Sequence, residues 1–160
     1  MKNLLNISDC EALIARLENL TPDSQRRWGT MHPGQVMAHM TDPLRVAIGD
    51  RVAQPMNSIF SNPIVSALVV WWMPWPKGAP TADEFIQGKG GTLPTEFLRD
   101  KQALLLAIHR FGHQPASEAF QPSPVFGNIS RRAWGRLMWR HIDHHLRQFG
   151  LFFLAFFQKS

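Results

Sequence analysis

Two histidines set four residues apart, His141 and His145, carry the clearest chemical signal in this chain. On an α-helix that spacing puts two imidazoles on one face, about 6 Å apart along the axis, near enough to share a cation. Trp134, His141 and Gln148 fall seven apart, and Leu137, Met138, Leu151 and Phe152 flank them. The stripe is apolar, so His141 faces the core. His144 lies on the other shoulder of the stripe, about 100° from His145. Periodicity leaves open which of the two joins His141. A third histidine, His39, sits between Val36 and Pro43 on the apolar face of another helical segment. Three neutral imidazoles from two facing helices make a facial nitrogen site with open positions. That donor set suits Zn²⁺, Ni²⁺ or Fe²⁺ and leaves room for water or substrate. The competing reading is three hydrogen-bonded core histidines, because a bare H-x-x-x-H pattern is common. Unpaired polar groups in a core are costly, which favours ligands.

Asp42, Asp143 and His144 are candidates for a supporting role. Asp42 follows His39 by three residues and could orient an imidazole by accepting its other N–H. Asp143 lies about 200° from His141 around the helix, so solvent or Arg147 at i+4 is its expected neighbour. Ordinary helix pairing competes for all three. Asp42 and His144 are the candidates for catalysis. Cys10, in the first turn of a helix, has no evident base beside it and is expected to be a packed small residue.

The elements that must position these groups are helical. Ser8 with Glu11 gives a capping box for a helix over 8–20, with Leu13, Ile14, Leu17 and Leu20 as its stripe. Pro33 opens a second helix over 33–48. Pro43 inside it removes the bond to the His39 carbonyl, which predicts a kink or an early end there. Residues 51–93 are rich in Pro and Gly. Within them, 64–72 is apolar and reads as a short helix or a strand. Trp71, Trp72 and Trp75 either pack in the core or cover a pocket. A third long helix is expected over 95–111 with Gly112 just beyond it, then a loop over 113–128. Ser130 caps a fourth, over 130–157. Four long helices with an extended connection between the second and third predict an all-α four-helix bundle with a crossover. At 160 residues and 44% apolar content, the chain suits one domain over 1–160.

Composition narrows the partners. The single Cys10 excludes an intramolecular disulfide framework and a cysteine-only metal site. The start of the chain has no apolar signal-type segment, so a cytoplasmic location is expected. No apolar run reaches 18 residues, which argues against a membrane span. The net charge of +5 and the arginines at 26, 27, 131, 132, 136, 140 and 147 suggest a solvated basic face. No nucleic-acid module accompanies them, and an anionic cosubstrate is easier to accommodate than DNA. Residues 152–157 are apolar all round the helix and need cover, from 51–93 or from a second subunit, which favours a homodimer.

Trp28-Gly-Thr-Met-His-Pro-Gly-Gln-Val-Met-Ala-His-Met40 and His141-Ile-Asp-His-His145-Leu-Arg-Gln148 together resemble the two signature segments of the DinB/YfiT-like superfamily. Trp75-Pro76-Lys77-Gly78 and Phe126-Gly127 resemble one uncharacterised branch of it, a domain of unknown function. The resemblance covers nearly the whole chain. It implies an up-down-down-up four-helix bundle, dimers, and a metal on His39, His141 and His145, with Gln148 favouring His145 over His144. Characterised members of the superfamily include thiol-dependent transferases and a maleylpyruvate isomerase that use low-molecular-weight thiols. The expected function is a divalent-metal-dependent enzyme acting on a small molecule, either an S-transferase with a thiol cosubstrate or a hydrolase. The alternative is a non-catalytic metal- or ligand-binding bundle, or an oligomerising interaction protein.

Overall fold

The computed structural model describes residues 1–56, 58–77, 85–87 and 89–152. Among these the chain is all-helical, with no strand. Five α-helices follow in order: α1 (Ile7–Glu18), α2 (Pro33–Ala47), α3 (Pro63–Trp71), α4 (Phe97–His113) and α5 (Arg131–Gln148). Helix α2 packs along α4, while α5 lies against α1, α2 and α3. No described helix is long and apolar enough to cross a membrane.

Four of the five described helices begin where a side chain or a proline settles free N–H groups, while α4 begins after Glu96 with no side-chain cap. For α1 that side chain is Asn6, which accepts from the Asp9 N–H at 3.2 Å, in place of the expected Ser8. Helix α2 opens on a reciprocal box. The His32 ring accepts from the Gln35 N–H, and the Gln35 side chain accepts from the His32 N–H, with Pro33 at the first helical position. This helix runs through Pro43 to Ala47, so the early end expected after His39 does not occur. Asn62 and Pro63 start α3, which resolves the helix-or-strand ambiguity of that apolar stretch. Helix α4 continues through Gly112 to His113 instead of stopping at 111.

The largest departure is the end of α5, which stops at Gln148 and not at 157. Gly150 has φ of 77°, a left-handed conformation that glycine adopts at no steric cost. Its N–H donates to the Arg147 carbonyl, and the Leu151 N–H reaches back to Leu146 at 3.0 Å. These two bonds form a Schellman closure. A Cβ at Gly150 would stand 2.5 Å from Arg27 Nε. Of the apolar tail expected to need cover, Phe152 is half-exposed beneath the guanidinium groups of Arg27 and Arg147. Residues 153–157 lie outside the described residues.

The core is continuous from α1 to α5. Leu13, Leu17, Met40, Leu44, Ile108, Phe111 and Trp134 are all essentially inaccessible to solvent. Burying each such side chain is worth about 1.5–3 kcal/mol, and this packing fixes α2 against α5. A buried ion pair adds a second tie: Arg16 of α1 donates to Asp143 of α5 at 2.7 Å and to the Leu151 carbonyl.

Candidate metal centre

His39 on α2 and His141 and His145 on α5 meet where the two helices face each other. Their candidate ligand nitrogens all lie within 4.8 Å of one another. The ring centroids form a nearly equilateral triangle, 4.8, 4.8 and 4.9 Å on a side. His39 and His145 are buried.

Hydrogen bonds fix two of the three tautomers. His39 Nδ1 stands 3.2 Å from the Phe85 carbonyl, which can only accept, so Nδ1 carries the proton and Nε2 keeps its lone pair. His145 Nδ1 donates to Gln148 Oε1 at 2.9 Å. The amide of Gln148 is oriented in turn by donating from Nε2 to the Trp28 carbonyl at 2.9 Å. His145 Nε2 is thereby left with its lone pair. His141 Nε2 lies 3.0 Å from His39 Nε2. With a lone pair on His39, that contact is stable in two ways. Either His141 donates its proton, or both nitrogens face a shared cation.

The electrostatics keep the rings neutral. Desolvation, reinforced by the neighbouring His39, pushes His145 down to about 3. Desolvation also lowers His39, against the pull of the Phe85 carbonyl. It holds His141 well below the ordinary histidine value, with the other imidazoles adding to the shift. Three neutral, converging imidazoles, two of them with Nδ1 committed to an acceptor, are a donor set that suits a divalent cation.

His144 is not one of the three converging rings. It lies in the cavity wall between Trp28 and Trp75, at 6.0 and 6.1 Å from their centroids, and 5.3 Å from His145. Burial lowers its pKa as well. Asp42 does not orient an imidazole. Its fully buried carboxylate accepts from Thr92 N at 2.8 Å, Thr92 Oγ1 at 2.6 Å and Arg51 at 3.0 Å, and so anchors the segment before α4 to α2. Asp143 pairs with Arg147 as expected, but it is buried and also holds Arg16. Burial raises the Cys10 thiol, which makes it a poorer nucleophile still. The arginines brace backbone carbonyls more than they form an anion site. Arg140 donates to Val69, Val70 and Met73, and Arg131 to Gln114, Pro115 and Glu118.

Two features of the site escaped the sequence reading. The Phe85 carbonyl is main chain and leaves no mark on residue type. Gly29 has φ of 73°, and a Cβ there would stand 2.5 Å from Gln148 Nε2. A glycine beside Trp28 is therefore what lets Gln148 reach the backbone. Its signal was the Trp28-Gly29 pair just ahead of the α2 cap.

A cavity of about 580 Å³ opens beside the triad. Trp28, Trp75, Phe85, Phe126 and Met138 form much of its wall, and His144 and the three converging histidines also line it. Of the three clustered tryptophans, Trp75 lines this cavity, Trp71 packs against the core beneath Arg132, and Trp72 is exposed.

Fold and site together define a protein, all-helical among its described residues, with a largely buried three-histidine cluster in the wall of an apolar cavity. Residues 1–150 match the model of the family described as Protein of unknown function (DUF1569), and the chain belongs to that family. No curated protein and no solved structure matches it.

Proposed function

We propose that His39, His141 and His145 hold a divalent metal ion and that the protein is a metal-dependent enzyme of the DinB-like type acting on a small molecule. In this reading α1, α2, α4 and α5 are the four helices of the bundle, and the segment carrying α3 is its long crossover. One observation carries the proposal: three neutral imidazoles converge, two of them buried and the third partly so, and the two buried rings have Nδ1 committed to an acceptor. Zn²⁺, Ni²⁺ and Fe²⁺ all suit the donor set. The ion would supply Lewis acidity, lowering the pKa of a thiol or water brought to it.

The chain's own residues do the rest. The Phe85 carbonyl and Gln148 hold two rings at fixed tautomer and angle, so the nitrogens are organised before anything binds. The aromatic wall excludes water and strengthens every polar interaction inside it. His144 is the imidazole outside the triad that can take a proton from a nucleophile in the cavity. With a thiol as nucleophile the reaction is an S-transfer; with water it is a hydrolysis. Calorimetric titration of the metal-free protein with Zn²⁺, Ni²⁺ and Fe²⁺ tests the first step. Saturable binding by wild type and its loss in His141→Ala are expected; equal binding by both would overturn the proposal.

A further inference from the structure

We infer that the cavity takes an uncharged, ring-bearing molecule and presents that molecule's single reactive polar group to the histidines. This deepens the enzyme reading above and rests on it for the meaning of the word substrate. Among the described lining residues there is no Asp, Glu, Lys or Arg. The polar groups that do reach the wall are mostly spent on the protein itself. Trp75 Nε1 donates to the Val69 carbonyl at 3.4 Å, and Trp134 Nε1 to the Gln121 carbonyl at 3.0 Å, so both rings offer hydrocarbon to the cavity. Both ends of the Gln148 amide are taken, one by His145 and the other by the Trp28 carbonyl. Ser123 Oγ accepts from the Phe126 N–H at 3.1 Å, which leaves its own O–H and the Thr30 hydroxyl as uncharged polar groups of the wall.

Two cations lie against rings of the wall without entering the lining. Lys77 lies over the Trp28 ring and Arg140 over the Trp75 ring, at 5.0 and 5.1 Å, and Arg140 is already committed to backbone carbonyls. A carboxylate or sulfonate placed in this cavity would lose its hydration and gain no Lys or Arg partner along the wall, a heavy penalty. A flat apolar ring loses little and gains stacking surface. The volume of about 580 Å³ is in the range of small-molecule sites. Away from the histidines, the anionic cosubstrate considered from the arginine content therefore has no charged partner among these residues.

The test uses the full-length protein and the neutral fluorophore N-phenyl-1-naphthylamine, with metal content measured on the same samples. Saturable binding with blue-shifted emission is expected, and 2-methoxynaphthalene should displace the probe at a concentration at least about ten-fold below that needed of naphthalene-2-sulfonate. Val69→Trp, which adds bulk to the wall, should weaken the probe by about ten-fold with helicity and metal content unchanged. Absence of saturable binding, equal displacement by the sulfonate, or an unaffected and folded Val69→Trp would each overturn the inference. The competitor comparison on wild type stands even where the variant does not fold. Metal without probe binding defeats this inference and leaves the metal reading intact. Probe binding with the expected selectivity but no metal supports the ligand class and defeats the metal reading.

Discussion

Gly29→Ala tests whether the histidine geometry depends on the loop before α2. The new Cβ would stand 2.5 Å from Gln148 Nε2, at a backbone φ of 73°. A non-glycine residue in that left-handed region costs about 1–2 kcal/mol. Gln148 is buried and must move, which breaks its bonds to the Trp28 carbonyl and to His145 Nδ1, at about 1 kcal/mol each. The expected destabilisation is roughly 3 kcal/mol. Gln148→Ala alone removes the same two bonds and strands a buried imidazole N–H, at about 2–3 kcal/mol. In the double variant the clash is gone and only the φ cost is added. Its loss should thus fall short of the sum by roughly 2 kcal/mol. Urea denaturation of the four proteins reads this directly. Metal affinity should fall about 10–100-fold in either single variant, because His145 loses the group that orients it. Additive stabilities, or full affinity in Gly29→Ala, would refute the chain of contacts from loop to ligand.

The acid stability of the metal-free protein should follow the buried imidazoles. His145 has a folded pKa of about 3 against an ordinary 6.5, so the unfolded chain binds more protons between those values. Stability is complete above pH 6.5 and lost as the pH falls toward 3, by up to about 1.4 kcal/mol per pH unit for this one group. His39 and His141 shift in the same direction and steepen the fall; urea midpoints that stay flat from pH 7.5 to 5.5 would contradict this. Asp42→Asn should cost roughly 2–4 kcal/mol by weakening its tie to Arg51 and Thr92 yet leave metal content unchanged, since its carboxylate touches no ligand; metal loss in the folded variant would show a direct role. His144→Ala should retain the metal that His141→Ala loses, as elemental analysis of both would reveal. Loss of metal in His144→Ala would mean that the triad is drawn wrongly.

The sequence was informative where one element decides and silent where two must meet. That His141 faces inward follows from the stripe on its own helix, and the start of α5 at Ser130 follows from a local cap. The choice between His144 and His145 does not, because they flank the same stripe and only the position of α2 separates them. Asp42 shows the same limit. Its spacing from His39 suggested contact, whereas its partner Thr92 comes from 50 residues further along the chain. The end of α5 was misjudged for a different reason. Apolar periodicity continues past Gln148, and a single left-handed glycine overrides it.

Elemental analysis of the protein, purified with neither a histidine tag nor chelators, beside His39→Ala, His141→Ala and His145→Ala, decides whether the three imidazoles hold an ion. One divalent ion per chain in the wild type and its loss in each folded variant are expected. A wild type that stays metal-free when offered Zn²⁺, Ni²⁺ and Fe²⁺, or a His141→Ala protein that keeps its full complement, would contradict the metal reading.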